Sequence, residues 1–246
     1  MTMLNGIDVS RYQATTPSLA GLSFLLARAS IGTWPDHVYP THIANARKAG
    51  MIVGAYHFGT AAPVAAQVAT FLASAGSADQ FALDLESNGG QPPMTWTQAR
   101  AFIAAVKATG RKIGLYHSRS GFPSLGQDWN WVADWSQVPS IPYRFWQYRG
   151  SPLDLDHFNG TLAQLRALAG KPVPPAPPLR YHVVITGYTP LYSKPGIKVG
   201  AVRLATYTCS RSKVGGLWWY RITGPGTSKN VGRSFKPNRN TKVTYA

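Results

Sequence analysis

Phe81-Ala82-Leu83-Asp84-Leu85-Glu86 is an apolar run that ends in two acids, two residues apart. Such a run reads as a buried strand of a parallel α/β sheet. Side chains at i and i+2 of a strand share one side, about 6.6 Å apart along the backbone. The open edge of a parallel sheet lies at the strand C-termini, so Asp84 and Glu86 are expected to project together into a cleft mouth. Two neighbouring carboxylates raise one another's proton affinity, and one can stay protonated as an acid. Cleavage of a glycosidic bond needs that pair, an acid for the leaving oxygen and an anion for the developing cation. The competing reading is a strand-end acid that caps the next loop.

Outward from this segment, apolar runs alternate with helical patterns. Expected strands are Leu4–Val9, Ser23–Ala29, Met51–Phe58, Gln80–Leu85, Lys112–His117, Asn130–Asp134 and Arg144–Tyr148. Expected helices are Thr41–Ala49, Pro63–Ala75, Thr95–Thr109 and Thr161–Ala169. In the third, Thr95 is an N-cap, Ala99, Phe102, Ile103 and Val106 form one face, and Gly110 stops the helix. The alternation implies an α/β fold with a parallel sheet or barrel. Helices thin out between the later strands, which argues against a regular eightfold barrel.

Lys171–Pro178 reads KPVPPAPP, a proline-rich spacer. After it, Tyr181–Ile185, Pro190–Tyr192, Val199–Thr208, Leu217–Ile222 and Lys242–Tyr245 read as short strands separated by Gly, Pro, Ser and Asn. Short strands without helices suggest a small β-barrel. The expected organisation is a catalytic domain at 1–170, a linker at 171–179 and a β domain at 180–246.

Charge follows the same division. Residues 1–170 hold 12 Lys and Arg and all nine acids, a net +3; residues 171–246 hold 13 Lys and Arg and no acid, a net +13. An acid-free segment of this kind is drawn to polyanions, whether nucleic acid or an anionic envelope polymer. A single cysteine, Cys209, excludes an intramolecular disulfide and any cysteine-built metal site. No apolar run approaches the length of a membrane span, so no membrane insertion is expected. MTMLNGIDVS lacks the pattern of a signal peptide, which makes the cytoplasm the expected place of synthesis.

Further acids stand near strand ends. Asp8 follows Leu4-Asn5-Gly6-Ile7, and Asp154 and Asp156 lie in Pro152-Leu153-Asp154-Leu155-Asp156. Tyr56-His57-Phe58 and Tyr116-His117-Ser118 end two strands, and Trp131, Trp135, Trp146 and Tyr148 ring the later ones. Aromatic rings around an acidic cleft suit a carbohydrate, whose apolar faces stack on them. Core packing is the alternative, for Phe58 and Trp131 above all. His57 and His117 lack any metal-ligand spacing, so neither a metal nor a cofactor is expected. Ser118, Ser120 and Gly121 do not form a GxSxG elbow. Gly89-Gly90 has no downstream lysine to make a phosphate loop.

Eight segments then appear in one order: GIDVSRYQ (6–13), FLLARAS (24–30), GAYHF (54–58), FALDLE (81–86), GLYHS (114–118), WVADW (131–135), FWQY (145–148) and DLDHFNG (154–160). Together they resemble glycoside hydrolase family 25, the Chalaropsis-type lysozymes. The resemblance covers residues 4–168. It implies an irregular, flattened (β/α) barrel of the TIM type. It also implies an N-acetylmuramidase acting on the β-1,4 bond between N-acetylmuramic acid and N-acetylglucosamine of peptidoglycan. By the resemblance, Glu86 is the general acid and Asp84, Asp8 and Asp154 complete the catalytic set. The family often has asparagine where this chain has Asp156, and either Asp154 or Asp156 is the cleft-facing acid. Tyr56, Tyr116, Trp135 and Gln147 are the candidate substrate-binding residues.

Residues 180–245 resemble a bacterial SH3-like domain. TGYTPLYSKPG (186–196) matches the opening segment and LWWYRI (217–222) the tryptophan-bearing strand, while the usual closing GWV is missing near Val231-Gly232-Arg233. The resemblance implies a cell-wall-binding module, with Tyr192, Trp218 and Trp219 as candidate contacts. The whole resembles a bacteriophage endolysin, held in the host cytoplasm until it reaches the wall. Competing functions are a wall-binding protein whose barrel has lost catalysis, and a nucleic-acid binder working through the basic tail.

Overall fold

The apolar runs of the first 160 residues become strands, and their burial patterns say what covers them. In β1 (Met3–Val9) the last four residues are buried, and β2 (Phe24–Ile31), β4 (Ile52–Phe58) and β5 (Gln80–Asp84) are buried almost throughout. β2 carries a short antiparallel partner, β3 (Trp34–Pro35). Continuous burial requires cover on both faces of the sheet. α1 (Tyr39–Lys48), α2 (Val64–Ala75) and α3 (Trp96–Ala108) supply it on the outside. β6 (Ile113–Ser118) follows α3, and then β7 (Trp129–Ala133), β8 (Phe145–Arg149) and β9 (Asp154–Asn159) follow one another with no α-helix between them. Burial in β8 and β9 accordingly alternates. α4 (Leu162–Leu168) comes last.

These elements belong to a computed structural model that describes residues 3–87, 92–172, 181–185, 189–194, 197–202, 205–214, 217–224, 234–237, 239 and 241–245. The chain divides into two compact units, Met1–Pro174 and Pro175–Ala246. From residue 173 the expected linker lies outside the described residues, as do Gly89-Gly90 and Val231–Arg233.

In the first unit β1, β2, β4, β5, β6, β7 and β8 pair in parallel, and β9 closes the ring antiparallel to both β8 and β1. The result is a closed eight-stranded barrel with few helices, a mixed α/β fold. Phe24, Leu26, Trp129, Trp131, Phe145 and Phe158 fill its interior. Gly6 and Gly114 are small because they must be: a methyl group at either would overlap the Phe24 or Trp129 ring. Outside, Phe71, Phe102, Ile103 and Val106 pack the helices on the sheet. Thr95 caps α3 by accepting from the Gln98 backbone N–H, and Gln98 returns a bond to the cap. Thr161 and Gln164 repeat the device at α4. Each such cap is worth about 1 kcal/mol.

Three expectations are corrected. Asp154–Asn159 is a strand, hidden in sequence by its two acids and histidine. Val199–Thr208 is not one strand; β12 (Ile197–Val202) and β13 (Ala205–Val214) share its residues. Trp146 and Tyr148 do not ring the cleft. They alternate with buried Phe145 and Gln147, so they point outward, and with His157 they cover the face that no helix covers.

The second unit is a seven-stranded antiparallel sheet. Beside β12 and β13 it contains β10 (Tyr181–Ile185), β11 (Thr189–Lys194), β14 (Leu217–Gly224), β15 (Ser234–Phe235) and β16 (Thr241–Tyr245). Their spatial order is β12-β11-β15-β14-β13-β10-β16. Leu191, Cys209, Tyr220, Ile222 and Phe235 form its core.

Candidate active site

The C-terminal edge of the barrel collects the acids. Asp8 is one residue from the end of β1, and Asp84 is the last residue of β5, in register with Phe58 of β4 and Tyr116 of β6. Leu85 N–H donates to the Tyr116 carbonyl at 3.0 Å, which holds the chain along the rim and delivers Glu86 beyond it. Asp154 is the first residue of β9, not the last. Because β9 runs against its neighbours, its beginning lies where theirs end, and Asp154 stands in register with Asp8. A cleft of about 300 Å³ is lined by Asp8, Asp84, Glu86 and Asp154, with Arg28 and Tyr12. Glu86, Tyr116 and Trp135 also border an adjoining recess of about 550 Å³ that contains Arg119 and Asp134. A larger recess of about 670 Å³ around Phe122 and Tyr143 holds one acid, Asp128, which is paired to Lys107.

Proton affinities rise throughout the acidic cluster. Burial is the main cause at each acid. It lifts Asp84, with Glu86 adding repulsion and Arg28 opposing it. It lifts Asp8, with Asp156 and Asp154 adding to it, and it lifts Glu86, with Asp154 adding to it. Asp154 is pushed up to about 6 and Asp156 to about 7. Asp134 behaves oppositely. Hydrogen bonds from Ser136 hold it below the ordinary aspartate range, and Arg119 pairs with it at 2.9 Å. Asp134 is thus favoured as a structural anion, whereas burial disfavours the charged form of each cleft acid.

Gln147 organises the cluster. Its amide N–H donates to Asp8 Oδ2 at 2.8 Å, and its Oε1 accepts from Tyr116 O–H at 3.0 Å and Trp135 Nε1–H at 3.1 Å. Tyr56, Tyr116 and Gln147 are buried, while Trp135 stands 67% exposed on the rim. All four expected substrate-binding residues line the cleft. Asp154 lines it too. Asp156 does not; it is fully buried beneath, accepting from Trp131 Nε1–H at 2.7 Å.

Arg28 and Tyr12 escaped the sequence reading. Arg28 is buried in β2, donates from Nε to Asp36 at 3.0 Å, and lies 5.4 Å from the Tyr12 ring centroid. The available signal was an arginine inside the apolar run FLLARAS. His57 lies behind the barrel wall, bonded to Ser30 and Gln67 and stacked on Phe102, and burial pushes it down to about 4. Among the described residues no three potential ligands gather to hold a metal ion, and no helix is long and apolar enough to cross a membrane.

In the second unit Tyr192 and Trp219 meet edge to face at 5.1 Å. Trp218 alternates to the opposite side of β14, exposed beneath the Arg211 guanidinium at 4.2 Å. The three aromatics therefore occupy two faces rather than one.

Comparison with known proteins agrees with this arrangement. The family model described as "Glycosyl hydrolases family 25" matches residues 7–155. Lysozyme M1 of Streptomyces globisporus is 32% identical over 209 residues, covering 68% of this chain and 71% of its own length. The bacterial lysozyme from Streptomyces coelicolor superposes with a TM-score of 0.60 at 30% identity, over 69% of this chain and 98% of that one. The catalytic domain of endolysin ply40, from bacteriophage P40 of Listeria monocytogenes, gives 0.59 at 26% identity, over 69% and 98%. The chain belongs to glycosyl hydrolases family 25 and is a glycoside hydrolase of the lysozyme type.

Proposed function

We propose that the chain is an N-acetylmuramidase that cuts the β-1,4 bond between N-acetylmuramic acid and N-acetylglucosamine, with Glu86 as general acid. One observation carries the reading. Glu86, Asp84, Asp8 and Asp154 come from three strands and one rim segment into a single cleft. Glu86 is the most exposed of them and stands between the two recesses, where a leaving oxygen would pass. Its raised proton affinity keeps the proton available for transfer. Asp84 is buried, and its Oδ1 receives no hydrogen bond among the described residues. That oxygen is buried beneath the cleft floor, where the carboxyl can act on developing positive charge at the sugar through its charge. Asp154 adds negative charge on the far wall and holds up the proton affinity of Glu86, and Asp8 stands in register beside Asp154. The rim indole of Trp135 offers a stacking surface for a sugar ring.

The second unit acts in this reading as an SH3-like wall anchor. Its absence of acids and the exposed Trp218 beside Arg211 and Lys213 suit an anionic wall polymer. Together the two units make a peptidoglycan-lysing enzyme of the phage endolysin kind, kept in the host cytoplasm until lysis. The likeness to an endolysin catalytic domain supports this role.

Mass spectrometry of digested peptidoglycan after borohydride reduction tests the bond assignment. N-acetylmuramitol ends are expected; reduced N-acetylglucosamine ends would overturn it. Glu86→Gln should lower the rate by about 100- to 10,000-fold. Near-normal turnover of that variant would remove Glu86 from the role.

A further inference from the structure

Asp156 plays no part in the chemistry described above, and it is the most deeply buried acid of the cluster. It lies at the third position of β9, in register with Gly6 of β1 on one side and Gln147 of β8 on the other. Its Oδ1 accepts from Trp131 Nε1–H. Its Oδ2 is buried and receives no N–H or other protein donor among the described residues. Across β1 and β9 Gly6 pairs with Asp156 and Asp8 with Asp154, so Asp8 and Asp156 are diagonal neighbours on one face, both beside Gln147, and their carboxyl groups interact as hydrogen-bond partners. Asp8 in turn has one amide donor, Gln147. Two carboxyl groups therefore meet in the barrel interior, and among the described residues each has one neutral side-chain donor, Gln147 for Asp8 and Trp131 for Asp156. Two buried carboxylates in contact repel strongly, and a contact between two acceptors needs a hydrogen to join them.

We propose that Asp8 and Asp156 share one proton, and that Asp156 is a positioning residue that fixes the cleft-facing carboxyl of Asp8 through that bond. The pair then carries one negative charge instead of two. Gln147 and Asp156 hold Asp8 from two sides, and Trp131 sets the angle of Asp156. The surrounding groups favour a retained proton. Facing the pair are Asp154 on β9, Asp84 and Glu86 on and beyond β5, and the phenols Tyr56 on β4 and Tyr116 on β6; among the described residues lining the cleft the cation is Arg28 on β2, which is bonded to Asp36 and acts on Asp84 and Tyr56. Burial raises both members, and Asp156 is pushed up to about 7 even though its bonds to Trp131 and Asp8 pull the other way. The proton belongs to the pair, and the pair titrates as a unit.

The inference rests on the reading of this cleft as the catalytic one, but its deciding test does not. Infrared difference spectra of the full chain, wild type minus Asp156→Asn, should show at pH 6 the loss of one protonated-carboxyl carbonyl band. The Glu86→Gln variant should keep that band whatever happens to its turnover. Asparagine keeps the shape of a protonated aspartic acid and supplies an N–H to Asp8. Asp156→Asn should therefore turn over within about threefold of wild type, whereas Asp156→Ala should lose about tenfold or more in kcat with KM little changed. An unchanged carbonyl band in the Asp156→Asn difference spectrum would overturn the shared proton. An Asp156→Asn variant as slow as Asp156→Ala would overturn the positioning role. Should the band behave as stated while wild-type protein leaves peptidoglycan uncut, the shared proton stands, and the positioning role falls together with the assigned activity.

Discussion

Gln147 Nε2–H donates to Asp8 Oδ2 at 2.8 Å across 139 residues of sequence, and the same side chain receives Tyr116 and Trp135 on its oxygen. One amide thus ties an acid of the first strand to the aromatic rim of the later ones. Replacing it by an apolar isostere leaves a buried carboxyl and two donors without their partner. Gln147→Leu should lose about 10- to 100-fold in kcat and about 1–3 kcal/mol in stability. Steady-state kinetics together with calorimetry checks both; a loss confined to KM would show that Gln147 binds substrate and does not hold Asp8.

In the proposed mechanism the charge of Asp154, added to burial, extends the upper pH limit of activity. A general acid must be protonated to act, so activity falls as pH rises through the pKa of Glu86. Burial raises that pKa, and the negative charge of Asp154 raises it further. Asp154→Asn removes the charge and should move the alkaline limb of kcat/KM to lower pH. A pH–rate profile decides the matter, and a limb shifted to higher pH would contradict the assignment.

The cleft acids cost stability. Asp84 is almost fully buried and binds its proton more tightly folded than unfolded. As pH rises above the ordinary aspartate value of about 4, ionisation is therefore harder in the folded state, and stability falls until the raised folded pKa is passed. Asp84→Asn escapes this cost. At neutral pH it should melt about 2–4 °C higher for each kcal/mol gained, while activity collapses. The gain should vanish below about pH 4, where wild type is neutral in both states. Thermal melts across that range measure it.

The barrel interior is closed to even a methyl group at Gly114, where an added Cβ would overlap the Trp129 ring. Gly114→Ala must displace Trp129, which packs on Phe145 at 4.9 Å. A cost of about 1–3 kcal/mol is expected, seen as a shift of the denaturant midpoint. An unchanged midpoint would mean that the ring has room to move.

Wall attachment through the second unit should be electrostatic. Raising salt from about 0.1 M to about 1 M shortens the screening length from about 10 to about 3 Å. Co-sedimentation with cell walls should fall steeply over that range, and Trp218→Ala should weaken it further at low salt. Salt-insensitive sedimentation would point to an uncharged ligand.

Much of this molecule is legible in its residues. The N-cap at Thr95, the apolar face of α3, the strand runs and the DxE segment obey local rules of period and capping, and each element expected in residues 4–169 formed within a few residues of its place. Asp8, Asp84 and Glu86 could be named because acids at the ends of apolar strands gather at one edge of a parallel sheet. Tertiary structure alone decided the rest. β9 has no apolar run to announce it; it fills the gap between β1 and β8, and because only residues 150–153 join it to β8, too few for a parallel crossover, it runs antiparallel, which brings Asp154 to the cleft and buries Asp156 below it. The roles of Gln147, Arg28 and Asp156 were invisible for the same reason. A polar side chain in an apolar strand reads alike whether it faces a cleft, an ion pair or another acid, and which it meets depends on contacts between strands more than a hundred residues apart.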